Sequence, residues 1–186
     1  MLKAQAEVLI YEHREGKKRL IHRQKLNTFT MNFIHMVEAM LRSMGAGEGY
    51  APSLTDMSGT AHYVMFQGAH DPEMEIYIAT DTREQALRSH IRIGSSSTPE
   101  TRNDYALGDE KMASEASVGV YNSLVKASAS FTPDTDITVR EVGLSKQYRD
   151  RDTGSAYDFL LLRGVITERT FSAGTTYTVE IRISFT

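Results

Sequence analysis

The run Ile137–Val165, ITVREVGLSKQYRDRDTGSAYDFLLLRGV, decides the fold. Two apolar, β-prone stretches flank a charged connection, Lys146 to Ser155, with Gly154 near its end. That pattern reads as a hairpin with a long solvated loop. In the first stretch Ile137, Val139, Glu141 and Gly143 share one parity, and Arg140, Val142 and Leu144 share the other. The apolar residues therefore change face near Glu141, which predicts either a bulge there or a strand covered on both sides. In the second stretch Tyr157, Phe159, Leu161, Arg163 and Val165 share a face, and Leu160, Leu162 and Ile166 fill the other. Both faces are apolar, so this strand is expected at the centre of its sheet. Each stretch carries one charge, Glu141 and Arg163, where its neighbours are apolar. An isolated buried ion is very costly, so a structural pair of Glu141 and Arg163 is expected. The alternative is a bulge that turns Glu141 outward while Arg163 snorkels to the rim.

Outward from this hairpin the strand signals continue. Tyr177, Val179, Ile181, Ile183 and Phe185 alternate with Thr178, Glu180, Arg182 and Ser184, after an Ala173-Gly174 turn. This is the pattern of a half-buried strand. Residues 116–131 alternate more weakly and fit one long strand or two consecutive ones. At the start of the chain, 2–11 and 18–25 read as a hairpin about Glu15-Gly16. Its Lys17, Lys18, Arg19, Arg23 and Lys25 read as charge that protects an edge, in preference to an anion site. No βαβ alternation appears. The expected fold is mainly β, an antiparallel, jelly-roll-like β-sandwich in which residues 1–186 form a single domain.

One long helix is expected in the N-terminal half, capped by Asn27 or Thr28 and ending near Met44, with Gly45 just beyond. Phe29, Phe33, Met36, Val37, Met40, Leu41 and Met44 form its apolar stripe, read as core ahead of a Met-rich partner surface. Residues 45–89 read as an inserted loop or subdomain. It holds a Gly-rich stretch over 45–60 and short strands at 61–67 and 74–79. A short helix follows from Asp81 to Ser89, with Thr82 and Gln85 in capping-box spacing.

Composition narrows the function. The net charge is −3, 24% of residues are charged, and no part is strongly basic. That argues against a dedicated nucleic-acid binder. Cysteine is absent, which removes disulfides and thiolate metal sites. No apolar run approaches the roughly 20 residues of a membrane helix, and the N-terminus lacks a signal-peptide core. His35 and Glu38 have a spacing that can hold a cation, but they fall opposite the apolar stripe with Arg42 and read as a solvated face. His62, His70 and Asp71 lack a ligand pattern, and His22 and His90 are single strand residues. Asp150 and Asp152 interleave with Arg149 and Arg151, which favours a solvated loop over a Ca²⁺ site. Gly45, Gly47 and Gly49 do not make a phosphate cradle, since no strand precedes them and no Lys-Ser/Thr follows. There is no nucleophile elbow, zinc-protease motif or dinucleotide fingerprint. The expectation is no catalytic residue, no cofactor and no metal.

Three short segments in a fixed order carry a resemblance. Asn27 to Leu41 is an Asn-bearing entry into a helix. Ile93-Gly94-Ser95-Ser96-Ser97-Thr98-Pro99, with Asp104 and Leu107, follows a strand. Glu141-Val142-Gly143-Leu144 and Leu161-Leu162-Arg163 lie on two strands separated by a loop. In this order they resemble a family of small β-rich structural proteins of tailed phages and related viruses, found as tail, tail-fibre or head-decoration components. The match covers about two thirds of the chain; Ser95-Ser96 stand where that family has its second glycine, and the 146–155 loop and the 45–89 region are additions. The resemblance implies a non-enzymatic virion structural protein. It would form homo-oligomers and contact other virion proteins, with no nucleic-acid or membrane partner. The alternative is a β-sandwich module that binds a carbohydrate or a host receptor through its loops.

Overall fold

Turn chemistry sets the first hairpin. Glu15 and Gly16 take positive φ, 51° and 73°, the left-handed pair that a two-residue turn between twisted strands requires. They join β1 (Ala4–Arg14) to β2 (Lys17–Leu26). A computed structural model describes residues 4–26, 28–42, 52–66, 76–78, 88–121, 124–149 and 154–185. Among these residues the chain is mainly β, with antiparallel sheets and one short helix.

After β2 come β3 (Thr28–Phe29), α1 (Met31–Arg42), β4 (Ser53–Thr55), β5 (Ala61–Phe66) and β6 (Ile76–Ile78). The second half runs through β7 (Ser89–Gly94), β8 (Glu110–Glu115), β9 (Ser117–Tyr121), β10 (Leu124–Phe131), β11 (Ile137–Arg149), β12 (Ala156–Phe171) and β13 (Thr176–Phe185). One five-stranded sheet has the order β2-β1-β13-β10-β9, and the other β3-β12-β11-β7-β8. A small third sheet, β4-β5-β6, includes one parallel pair, β5 with β6. Residues 116–131 are thus two consecutive strands. Each major hairpin stays inside one sheet, which differs from the jelly-roll-like connectivity expected from the pattern.

Alternation builds the core. Ala6, Val8 and Ile10 on β1 lie opposite Ile183, Ile181 and Val179 on β13. These residues join Ile91, Ile93, Val142 and Leu162 of the other sheet in a single buried cluster. Burial of each such aliphatic side chain contributes about 1.5–3 kcal/mol. At the far end of the β11–β12 hairpin a second cluster forms from Ala39, Leu54, Tyr148 and Phe159.

Three expectations are corrected. The helix is 12 residues long, not a long helix from Asn27 or Thr28 to Met44. Thr28 and Phe29 are taken up by the sheet, opposite Arg163 and Leu162. The chain turns helical only after Thr30, whose amide donates to the Leu161 carbonyl and whose hydroxyl donates to Leu160 at 2.6 Å. Sheet pairing thus overrides the capping signal. The apolar stripe also differs, because Val37 is exposed while Asn32 is buried. Lastly, β11 and β12 pair out to Arg149 and Ala156, so the connection is shorter than Lys146–Ser155. The helix expected over 81–89 lies outside the described residues up to 87, and Ser89 opens β7.

Candidate functional site

The apolar-parity change near Glu141 is a bulge. The β11–β12 register shifts between Val139 and Glu141, where Arg140 of β11 stands against Ile166, Thr167 and Glu168 of β12. The shift puts Val139 and Val142 in the main core and leaves Glu141 fully buried, 0% exposed. Arg163 is 3% exposed. Its Nε donates to Glu141 Oε2 at 2.9 Å, and its Nη2 lies 2.8 Å from the same oxygen. The two residues are diagonal in the ladder, since Glu141 faces Val165 and Arg163 faces Gly143. A second shift leaves Leu161 outside the register, so it does not continue the Arg163 row.

Both charges have further partners, all from the segment 95–109. The Ser96 and Asp109 amides donate to Glu141 Oε1 at 3.2 and 2.8 Å, and the Gly108 amide donates to Oε2 at 3.0 Å. Arg163 Nη1 donates to Asp104 at 2.6 Å, and Nη2 donates to the Thr98 carbonyl at 3.1 Å. Burial opposes the Arg163 charge, but bonds and charges from Asp104 and Glu141 outweigh it and hold its pKa above the ordinary value. Burial likewise opposes ionisation of Asp104, and donors from Thr101 and Arg163 outweigh it, so its pKa is lowered. Neither oxygen of Glu141 is left free for a substrate. The arrangement is a clamp that holds a loop across a sheet, because networks of charge-assisted bonds rigidify their surroundings.

The segments that carry the resemblance meet here. Gly94, Ser96, Thr98, Asp104 and Leu107 lie against Glu141, Gly143 and Arg163. The glycines are required by contact. A Cβ at Gly94 would lie 2.5 Å from Glu141 Oε1 and 2.5 Å from the Asp109 carbonyl oxygen. One at Gly143 would lie 2.7 Å from Leu107 and 2.8 Å from Leu160. The loop also fixes the helix start, since the Met31 amide donates to the Arg102 carbonyl at 2.6 Å.

Other polar groups are placed as follows. His35 is partly buried and contacts the Ser53 carbonyl at 2.7 Å, so it docks β4 and does not lie on a solvated face. His62 is buried, 3.0 Å from Asp56, and lies 4.2 Å from the Tyr157 ring. Burial opposes the Asp56 charge, but donors from Ser58, His62 and Thr60 outweigh it and lower its pKa. Arg92 binds Glu110 through both carboxylate oxygens and also meets Ser145 and Asp158, with His90 3.3 Å from Asp158. His70, Asp71, Asp150, Arg151 and Asp152 lie outside the described residues. Among the described residues no three His, Asp or Glu side chains group as a metal set. Nor, among them, is any helix long and apolar enough to cross a membrane.

Ser96, Thr98 and Asp104 enter the sequence reading only through the resemblance, and their bonds to Glu141 and Arg163 do not enter it. Backbone amides have no side-chain signature, and Asp104 is 59 residues from Arg163. The readable hint is the pair Gly108-Asp109, a tight approach just before β8. Comparison with known protein families, with curated proteins and with solved structures finds no match.

Proposed function

We propose that this chain is a non-enzymatic virion structural protein, a β-sandwich subunit that assembles into a phage or viral particle at the tail, its fibre or baseplate attachment, or the capsid surface. The observation that carries the reading is the convergence at Glu141. The segment 93–107 and the strand pair 141–144/161–163, far apart in sequence, are bonded through one buried carboxylate and one buried guanidinium, and the third segment joins them through backbone, with Thr28 opposite Arg163 and the Met31 amide on the Arg102 carbonyl. Both oxygens of Glu141 and all three guanidinium nitrogens of Arg163 are bonded within this cluster, which suits a scaffold.

The test is to purify particles of the virus that encodes the chain and measure the protein by mass spectrometry, with labelled electron microscopy to locate it. A fixed copy number per particle is expected. Absence from washed, intact particles would overturn the reading.

One observation favours the second reading, a module that binds a carbohydrate or receptor. Gln5, Glu7, Arg23, Lys25, Arg182 and Ser184 line a cavity of about 220 Å³ on the β2-β1-β13 side. Lys25, with Arg23 and Arg182 bonded to Glu7 and Glu180 and with amide and hydroxyl groups beside them, suits an anionic saccharide. A glycan array with acidic and neutral sugars separates the readings. Selective binding of acidic sugars supports the module.

A further inference from the structure

We infer that β9 is a docking edge for a second copy of this chain: β9 pairs antiparallel with β9 of that copy, about a two-fold axis near Gly119. This deepens the assembly reading above by naming the surface.

The two large sheets end in four edge strands, β2, β9, β3 and β8. A bare edge invites pairing, so proteins shorten their edges or charge them. The β2 edge carries Lys17, Lys18, Arg19, Arg23 and Lys25. The β8 edge carries Glu110, Lys111 and Glu115, all exposed. The β3 edge is two residues long. In contrast, β9 reads SVGVY, with no charge and no proline.

Its apolar side chains are uncovered. Val118 lies opposite Ala127, and Val120 lies opposite Val125. Cross-strand partners share a face; Ala127 belongs to the main core and Val125 packs against it. Val118 and Val120 are therefore on the core side of the sheet, yet they are 50% and 74% exposed. Phe185 is exposed beside them. The same region opens on an apolar cavity of about 190 Å³, whose lining includes Phe33, Met36, Val118, Val125 and Phe185.

A second β9 fits both requirements. Its partner must supply an unpaired strand edge and must bring no charge against the valines, which β2 and β8 cannot do. In a two-fold pair about Gly119, Ser117 faces Tyr121 of the second copy, and Val118 faces its Val120. The four valines then form one apolar row on the uncovered face. No position meets a like charge, the usual obstacle to pairing identical strands.

The test uses the whole purified chain in analytical ultracentrifugation up to on the order of 100 µM, where a micromolar contact is populated. Concentration-dependent dimers or larger species are expected. Val120→Lys should weaken the association at least tenfold while circular dichroism stays unchanged, since this side chain is exposed. Because the chain has no cysteine, Gly119→Cys should cross-link rapidly on mild oxidation, with Ser130→Cys as the slow control. A monomer at every concentration overturns the inference. So does an oligomer that V120K leaves intact and G119C does not trap. If particles contain the chain but V120K associates like the parent, β9 fails and the virion reading stands. If the chain pairs through β9 but is absent from particles, the reverse holds.

Discussion

Glu141 and Arg163 meet through two contacts, 2.9 and 2.8 Å, both to the same carboxylate oxygen, although neither faces the other in the β11–β12 ladder. Glu141 and Gly143 alternate onto one face of β11, and Arg163 stands opposite Gly143, so the contact runs diagonally across the ladder. The pair is therefore wired to the loop as well as to the hairpin. Glu141→Gln strips the charge from three backbone donors and from Arg163. Arg163→Met leaves a buried carboxylate held by those donors alone. Each change should cost about 3–5 kcal/mol in denaturant melts. The double variant should show a coupling of about 0.5–3 kcal/mol, with most of the loss unrecovered, since Asp104 and the amides still lack their partners. Costs that simply add would remove the coupling.

Contact at Gly94 gives a second prediction. A Cβ there meets the Asp109 carbonyl oxygen at 2.5 Å, and backbone cannot swing aside as a side chain can. Gly94→Ala should cost about 1–3 kcal/mol as overpacking. It should also speed hydrogen exchange at the Ser96, Gly108 and Asp109 amides, which bond Glu141. Gly154→Ala is the comparison. It meets nothing within 4 Å, so it should cost only the about 1–2 kcal/mol of a left-handed backbone and leave those amides protected.

A third prediction concerns pH. His22 is buried against Arg169, 3.3 Å away. Burial first, then the Arg169 charge, lowers its pKa from 6.5, with Gln24 opposing in part. The folded chain thus binds the proton more weakly than the unfolded chain. Stability from this site is complete above pH 6.5 and is lost as the pH falls through the lower folded value. Melting temperature should drop between about pH 7.5 and about pH 5, and His22→Gln should flatten that slope. A variant that keeps the full slope would assign it elsewhere.

What the sequence made legible follows from what side chains can signal. Glu141 and Arg163 stood out because each is one charge in an apolar run. The hairpin about Glu15-Gly16 was readable because its turn needs those residue types. Other features had no such mark. Asp104 looks like any loop carboxylate, and the amides of Ser96, Gly108 and Asp109 have no letter of their own. The helix start was misread because Thr28 suits a cap and also an edge strand, and tertiary pairing chose the strand. His35 and Asn32 fell on the polar side of the helical pattern, and that side docks a strand.

Asn32 is the sharpest case. Its side-chain nitrogen donates to the Thr55 carbonyl at 2.7 Å, and the Thr55 amide donates to its side-chain oxygen at 2.8 Å. One side chain thus stands in for a neighbouring strand beside β4, and it is 5% exposed. Asn32→Ala leaves two backbone groups of Thr55 without these partners and should cost about 1–3 kcal/mol for each that stays dry. Asn32→Asp separates donor from acceptor. Its carboxylate still accepts from the Thr55 amide, but a second anionic oxygen faces the Thr55 carbonyl. Protonation restores a donor there, so the folded chain should hold that proton more tightly than the unfolded chain. A group whose folded pKa is raised gives its full stability below the unfolded value and loses it as pH rises through the folded value. The Asp variant should therefore gain on the Ala variant on going from about pH 7 to about pH 4, measured as the difference between their urea midpoints. If that difference is the same at both pH values, the two bonds to Thr55 do not hold β4 to the helix.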